Sequence, residues 1–246
     1  LSRLVRGDLG ESYYNNASVV SLIGERFGAS LLLSGTSAVL AFVLGTSLGL
    51  VAGQRTGGIA DRTFSTGAYI CNSMPSFWLA LLLMMFFGID LQWLPISGLT
   101  SMDYASLSPW GKLCDLARHL ALPILVYTIG GLAGMSRYMR ACMLEVLRQD
   151  YILTAKAKGL PPSLIIRRHA LRNALLPVVT VIGTNFGFAL GGSIVLEQVF
   201  TIPGLGQLMI NAIRQKDTPI VMGAVMTTAI FASLINLLVD IVYTYI

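Results

Sequence analysis

The feature that most constrains this chain is a series of five apolar runs, each close to the length that crosses a lipid bilayer. About 20 apolar residues in a helix span the hydrocarbon core, because each residue adds about 1.5 Å. The runs cover residues 28–52, 66–88, 119–136, 176–197 and 220–243. The sequence therefore predicts an all-α, polytopic membrane helix bundle of about five transmembrane helices, forming one domain over residues 1–246.

The composition excludes an ordinary soluble domain. Hydrophobic residues make up 54% of the chain and charged residues only 12%, against roughly 25% charged residues in typical soluble domains. The net charge of +5 does not indicate a nucleic-acid binder, because the charges lie between the apolar runs instead of along one solvated face. Cys71, Cys114 and Cys142 are too far apart in the sequence for a metal or redox motif and are expected to be free thiols.

The charges between the apolar runs predict the orientation of the chain. Residues 137–175 carry eight Lys and Arg against two acidic residues, so this connection is expected in the cytoplasm. Residues 89–118 and 198–219 lack this basic excess and are expected outside. This orientation puts the N-terminus outside and the C-terminus in the cytoplasm, and we expect the membrane to be a bacterial or archaeal cytoplasmic membrane. We expect a sixth, N-terminal span to precede Leu1.

Glycines spaced four apart line one face of two of the predicted helices. Small residues at this spacing let membrane helices approach closely, so we interpret both rows as helix contacts and not as ligand sites. The two rows are Gly45, Gly49 and Gly53, and Gly183, Gly187 and Gly191. Farther along, the amphipathic stretch Leu208–Ile213 is expected to fold back against the outer surface, either lining a vestibule or serving only as a connector.

The basic connection 137–175 is too patterned for a disordered loop and predicts two short helices. The first, 151–158, is expected to end at Gly159 in the left-handed conformation, before two prolines. The second is expected to start at Ser163 as N-cap, with its arginines in water and Leu164, Ile165, Ala170 and Leu171 turned inward. Ala155 and Gly159 would form a flat surface for a partner. The alternative is a basic loop that only fixes topology and contacts anionic lipid.

Residues 151–177 resemble the conserved cytoplasmic loop of ABC importer permeases, often called the EAA loop. Leu153, Thr154 and Ala155 occupy the Glu-Ala-Ala positions, so that only the third residue matches, and the segment 169–173, His-Ala-Leu-Arg-Asn, is typical of the dipeptide, oligopeptide and nickel branch. The resemblance extends over nearly the whole chain. Its further motifs are Met74–Trp78, Gln92–Pro95, Glu197 with Phe200, Pro203–Gly206 and Val239-Asp240.

This resemblance implies a permease that moves a di- or oligopeptide-like solute by alternating access. Its implied partners are a second, related permease in a heterodimer, two ABC ATPase subunits that bind ATP and Mg²⁺, an extracytoplasmic binding protein, and membrane lipid. The permease itself is expected to be no enzyme and to hold no cofactor or metal, since it has no phosphate-binding loop or hydrolase motif. The implied ATPase-coupling residues are Tyr151, Ala155, Lys156, Ala157, Lys158, Gly159, Leu160 and Pro161.

Polar residues within the predicted spans are candidates for the translocation pathway, because they are costly in lipid and usually face a cavity or another helix. They are Asn72, Ser73, Asn185, Glu197, Asn236 and Asp240. A structural role is an alternative for each of them, and for Glu197 it would be a cap at the outer interface. His119 alone is weak support for a nickel site, and His169 lies on the cytoplasmic side.

Three other functions remain possible from the sequence. An importer of nickel or of another small solute would use a very similar scaffold. An ion-coupled secondary transporter would need paired internal repeats and mid-membrane acids. An intramembrane enzyme would need a catalytic pair at depth, which the spacing of the Ser, His and Asp residues does not provide.

Overall fold

The computed structural model describes residues 8–54, 58, 63, 66, 67, 70, 73–189 and 193–245, with the side chains of 182, 184–189 and 242–245 left out. This part of the chain is helical almost throughout and has no strand beyond one isolated bridge between Glu11 and Ser18. The all-α prediction is therefore confirmed for the described residues.

Nine α-helices follow one another in the described residues, two of them extended by π-helical segments. They are α1 (Val19–Gln54), α2 (Ser76–Leu83, continued by the π-helical Met84–Asp90), α3 (Pro109–Val146), α4 (Asp150–Ala157), α5 (Pro162–Leu164, continued by the π-helical Ile165–Ala170), α6 (Leu171–Ala189), α7 (Ile194–Val199), α8 (Leu205–Gln215) and α9 (Thr218–Tyr245).

Three of these helices are long and apolar enough to cross a membrane, namely α1, α3 and the Thr218–Ile241 part of α9. They contain the predicted spans 28–52 and 119–136 and most of 220–243. The shorter apolar helix Ser76–Asp90 covers the second half of the predicted span 66–88, whose first half is described only at isolated positions. That all five predicted spans cross the membrane remains a prediction.

Several predicted boundaries differ from those of the helices. The run 176–197 was expected to be one helix, but α6 ends at Ala189 and α7 starts after Ser193, which has an extended backbone and accepts a hydrogen bond from the amide of Leu196. The connection 137–175 is mostly helical, since α3 continues to Val146 and α5 leads without a break into α6. Helical hydrogen bonding does not stop where apolar side chains give way to charged ones, because Arg and Lys are good helix formers.

The chain divides into two compact units, and the first comprises residues 1–37, 75–127 and 186–233. One core cluster of this unit packs Leu33 of α1 and Leu122 of α3 against Phe200 and Ile202. A second cluster packs the start of α1, with Val19 and Ile23, against α8 and α9. Residues 208–213 lie within α8, whose Leu205 and Ala212 are buried in this second cluster. That this segment folds back against the outer surface stays a prediction.

The second unit comprises residues 38–74, 128–185 and 234–246. Within it, the first glycine row lies directly against α3. A Cβ atom at Gly49 would come within 2.4 Å of the carbonyl oxygen of Ser136, and one at Gly45 or Gly53 within 2.8 Å of a methionine side chain. The helix-contact interpretation is confirmed for these three glycines. In the second row Gly183 packs on Val239, while the environment of Gly187 and all of Gly191 lie outside the described residues.

Candidate coupling site and pathway residues

Helix α4 lies between the ends of two long helices and has a well-defined stop. It spans Asp150–Ala157, close to the predicted 151–158. At its end Gly159 has φ +72°, its amide donates to the carbonyl of Lys156 at 2.9 Å, and the amide of Leu160 donates to that of Ala155 at 3.3 Å. This pair of hydrogen bonds is a Schellman motif, which requires a left-handed residue at the position of Gly159.

One face of α4 is buried in the core of the second unit. Ile152 is fully buried and Ala155 is only 6% exposed, and both pack in a cluster with Met139 and Met143 of α3 and Ala170 at the end of the π-helical segment. The prediction that Ala155 and Gly159 form a flat surface for a partner is therefore wrong for Ala155, whose side chain packs in the core. Its small side chain permits close approach to the neighbouring helices.

The opposite face of α4 is exposed and carries most of the predicted coupling residues. Leu153 is 55% exposed on this face. The exposed members of the predicted set are Tyr151, Lys156, Ala157, Lys158, Gly159 and Pro161, with Leu160 half-buried. Together with Leu153 they form an exposed surface with an apolar centre and a basic rim.

The segment after α4 starts earlier than predicted. The N-cap is Pro161 and the helix starts at Pro162, so Ser163 lies inside the first turn instead of capping it. Proline is favoured in the first turn because its missing N–H would be unpaired there anyway. Ile165 and Ala170 are buried as expected, but Leu164 is exposed. Arg167, Arg168 and Arg172 are exposed as predicted.

Glu197 lies in the first unit and is fully buried. Its carboxylate accepts hydrogen bonds from the hydroxyl of Ser30 at 2.7 Å, from the amide of Gln207 at 3.0 Å and from the amide of Gly206. The Ser30 hydroxyl in turn accepts from the amide of Leu205 at 2.7 Å. These amides belong to the first turn of α8, so Glu197 acts as a cap for α8 supplied by another helix.

The other pathway candidates do not form a cluster in the described structure. Asn72 lies outside the described residues, and the side chain of Asn185 is not described. Ser73 is exposed. Asn236 and Asp240 are both exposed and lie four residues apart on α9, which places them on one face of that helix.

His119 has protein partners instead of metal-ligand neighbours. Its Nδ1 lies 2.9 Å from the carbonyl oxygen of Asp115 and 3.5 Å from the Asp115 carboxylate. Within the part of the chain that the structure describes, no three His, Cys, Asp or Glu side chains are grouped as metal ligands would be. Cys114 and Cys142 are free thiols, as expected, while Cys71 lies outside the described residues.

Comparison with known proteins decides the family. Residues 45–246 match the family model described as the binding-protein-dependent transport system inner membrane component. The chain belongs to this family. As a member of this family it is a polytopic membrane permease subunit of an ABC importer, and membership implies an ATPase and a binding protein as partners.

Relatives from several bacteria match over essentially the whole chain. A Brucella ovis protein named as a peptide permease is 41% identical over 100% of this chain and 76% of its own length. The oligopeptide transport system permease protein AppB of Bacillus subtilis is 36% identical over 99% of this chain and 76% of its own length. The glutathione transport system permease protein GsiC of Pectobacterium atrosepticum is 39% identical over 99% and 74%.

Solved structures of ABC importers show the same fold. An inward-facing structure of the MetNI methionine ABC transporter aligns with a TM-score of 0.69 at 20% identity, covering 92% of this chain and 96% of the other. An amino acid ABC transporter crystallised with histidines aligns with a TM-score of 0.67 at 12% identity. At these identities the likeness concerns the fold of the permease and not its solute.

Two structural residues of this permease were missed by the sequence analysis. Asp217 is buried and accepts a hydrogen bond from the hydroxyl of Ser12 at 2.5 Å. An aspartate directly before the Thr-Pro start of a helix is the pattern of an N-cap and could have predicted it. Ser30 could not be predicted, since its partner Glu197 is 167 residues away in the sequence.

Proposed function

We propose that this permease docks an ATPase on the exposed face of α4 and carries a di- or oligopeptide-like solute. The observation that carries the docking proposal is the two-sided character of α4, with a buried face that includes Ile152 and Ala155 and an exposed face centred on Leu153. A helix of eight residues is marginal alone, so its fixed position depends on the core below it. The exposed apolar centre suits a protein groove better than water.

The solute proposal rests on the relatives, whose names refer to peptides, oligopeptides or glutathione. All of these are peptide-like molecules with an amine, a carboxylate and amide groups. In the assembled importer we propose one copy of this chain beside a second, related permease, with two ATPase subunits in the cytoplasm and a binding protein outside. This chain holds no nucleotide, and ATP and Mg²⁺ are bound by the ATPase subunits.

Asn236 and Asp240 are the pathway residues that we propose for this chain. Both are exposed on one face of α9, and polar side chains of a membrane helix are costly against lipid. Amide and carboxylate groups suit a peptide backbone and its terminal amine. Glu197 is not proposed as a solute ligand, because its carboxylate is occupied by Ser30 and by the first turn of α8.

The docking proposal is tested by replacing Gly159 with valine. A β-branched residue at φ +72° is strained by about 1–2 kcal/mol or more, so the turn after α4 should shift and displace Leu160 and Pro161. We expect Gly159→Val to insert into the membrane at the normal level but to recover less ATPase on co-purification and to lose uptake of labelled trialanine.

Gly10→Val is the matched control for this experiment. Gly10 also has positive φ, at +86°, and like Gly159 it has open space where a Cβ atom would be added. It lies in the first unit, outside the predicted cytoplasmic connection. Recovery of the ATPase should therefore be normal with Gly10→Val. Equal recovery with both variants would contradict docking at α4.

A further inference from the structure

A side-chain hydrogen bond joins α4 to the first turn of α6. The Asn173 side-chain amide donates to the hydroxyl of Tyr151 at 3.1 Å and also lies 2.9 Å from the carbonyl oxygen of His169. Tyr151 is the second residue of α4, and Asn173 is the third residue of α6. The bond therefore connects the exposed helix directly to the start of a long helix.

The contacts beneath this bond are of a different kind. Ile152 and Ala155 of α4 pack in an apolar cluster with Ile165, Ala170 and Ala174. Apolar burial has little directional preference, whereas a hydrogen bond weakens steeply when its angle or length changes. Packing can therefore hold α4 in place while the hydrogen bond fixes how α4 is rotated relative to α6.

The position of Asn173 adds a second argument. The preceding residues, Ile165–Ala170, are π-helical, and the helix returns to α-helical geometry at Leu171. π-helical turns are frequent at functional sites. At this transition the Asn173 side-chain amide bonds the carbonyl of His169 and also holds Tyr151.

We infer that Tyr151 and Asn173 are positioning residues that transmit movement of α4 to α6. This inference rests on the proposed docking of an ATPase at α4. When the ATPase moves α4, the Tyr151–Asn173 hydrogen bond makes the first turn of α6 move with it. Without this bond, α4 could rotate against its apolar packing partners and leave α6 in place. Neither residue needs to touch solute or nucleotide for this role.

The test measures this transmission without any solute. The complete complex of this permease with its ATPase and partner permease is placed in lipid nanodiscs, and hydrogen–deuterium exchange is compared with and without ATP and orthovanadate. For the unsubstituted chain we expect ATP trapping to change exchange both in α4 and in residues 171–176. In Tyr151→Phe and Asn173→Ala we expect the α4 change to persist and the change in 171–176 to fall by at least half.

The control removes a hydrogen bond of similar length that stays within α4. The hydroxyl of Thr154 donates to the carbonyl of Asp150 at 3.0 Å, also in an exposed position. Thr154 is itself exposed on α4, so the control compares two changes in exchange. In Thr154→Val the change in 171–176, taken relative to the change in α4, should equal that of the unsubstituted chain. The double variant Tyr151→Phe/Asn173→Ala should be no worse than Asn173→Ala alone, because both changes remove the same bond.

The outcomes separate this inference from the proposed function. If the unsubstituted chain recovers no ATPase, the proposed docking fails and the inference fails with it. If the ATPase is recovered and 171–176 respond equally in Tyr151→Phe, Asn173→Ala and the unsubstituted chain, only the inference is overturned. Loss of the response of 171–176 in Thr154→Val, with the α4 change retained, would also overturn it, since any change on α4 would then suffice.

Discussion

At the scale of single residues, the structure changes the role of Glu197 most. Its place near the outer end of an apolar run made it a candidate for solute contact. The structure instead surrounds the carboxylate with donors from Ser30 and from the amides of Gly206 and Gln207. Gly204 lies so close that a Cβ atom there would fall 2.4 Å from the carboxylate. The carboxylate therefore holds the first turn of α8, which favours the structural role over solute contact.

We expect Glu197→Leu to destabilise the permease by about 1–3 kcal/mol, the usual cost of leaving a buried polar group unsatisfied. Leucine has a similar size but no acceptor for the amide donors that face Glu197 in the first turn of α8. The measurement is the midpoint of thermal unfolding in detergent, monitored by size-exclusion fluorescence. Glu25→Leu, at an exposed site on α1, should leave the midpoint nearly unchanged, and an equal midpoint in both variants would refute the capping role.

Asp217 is a second buried carboxylate in the first unit, beyond the membrane-spanning segments. Burial raises the pKa of its carboxyl, but hydrogen bonds from Ser12 and from the amides of Tyr13, Tyr14 and Ile220 outweigh this effect and lower the pKa below its ordinary value of 3.8. A carboxyl with a lowered pKa in the folded state stabilises the fold above its unfolded pKa. This contribution is lost as the pH falls through the lowered pKa.

The pH dependence of stability should therefore differ between the natural chain and Asp217→Asn. We expect the difference in their unfolding midpoints to be constant from pH 7 down to about pH 4, near the unfolded pKa of Asp, and to shrink at lower pH. Thermal unfolding across this range checks it. A substitution at the exposed Asp103, Asp103→Asn, is the control, and a difference that grows with acidity for Asp217→Asn would contradict the argument.

At the scale of helices, close contact between α1 and α3 within the second unit depends on Gly49. A Cβ atom there would meet the backbone of α3, at 2.4 Å from the carbonyl oxygen of Ser136 and 3.1 Å from the amide of Arg140. Backbone cannot move aside as the end of a flexible side chain can. The glycine row therefore sets the distance between the two helices, as small residues do in membranes.

Gly49→Ala should therefore lower the unfolding midpoint, since overpacking usually costs about 1–3 kcal/mol. Gly134→Ala is the matched control, because Gly134 is also helical and a Cβ atom there meets nothing within 4 Å. Alanine has the higher helix propensity, so Gly134→Ala should be neutral or slightly stabilising. An unchanged midpoint in Gly49→Ala would mean that the two helices do not approach this closely in the membrane.

The helices also show what hydropathy can and cannot predict. Apolar runs located α1, α3 and α9, because about 20 consecutive apolar residues form a helix that matches the thickness of the hydrocarbon core. They did not locate the break before α7, where the Gly-Gly-Ser sequence at 191–193 was the available signal. The end of α4 was predictable from Gly159 and the prolines after it. The burial of Ala155 was not, because the inward face of so short a helix is decided by the packing of α3 and of the segment leading into α6.

At the scale of the whole molecule, the distribution of charge predicts which ends of the helices face the cytoplasm. Membership of an inner-membrane family establishes the membrane but not the orientation. The basic excess in 137–175 predicts that α4 lies inside the cell, where an ATPase could reach it, and that 89–118 lie outside. Docking at α4 requires this orientation, because ATP is held in the cytoplasm.

Cysteine labelling in spheroplasts tests this orientation with a thiol that the chain already has. Cys114 is exposed and lies in 89–118, whereas Cys142 is buried. In a Cys71→Ser background we expect a membrane-impermeant maleimide to label Cys114 without permeabilisation. With Cys114→Ser and Thr154→Cys added, we expect labelling only after permeabilisation, because α4 faces the cytoplasm. The opposite result would be labelling of the introduced cysteine in sealed spheroplasts of the second variant and no labelling of Cys114 in the first. That result would show the reversed orientation and exclude ATPase docking at α4.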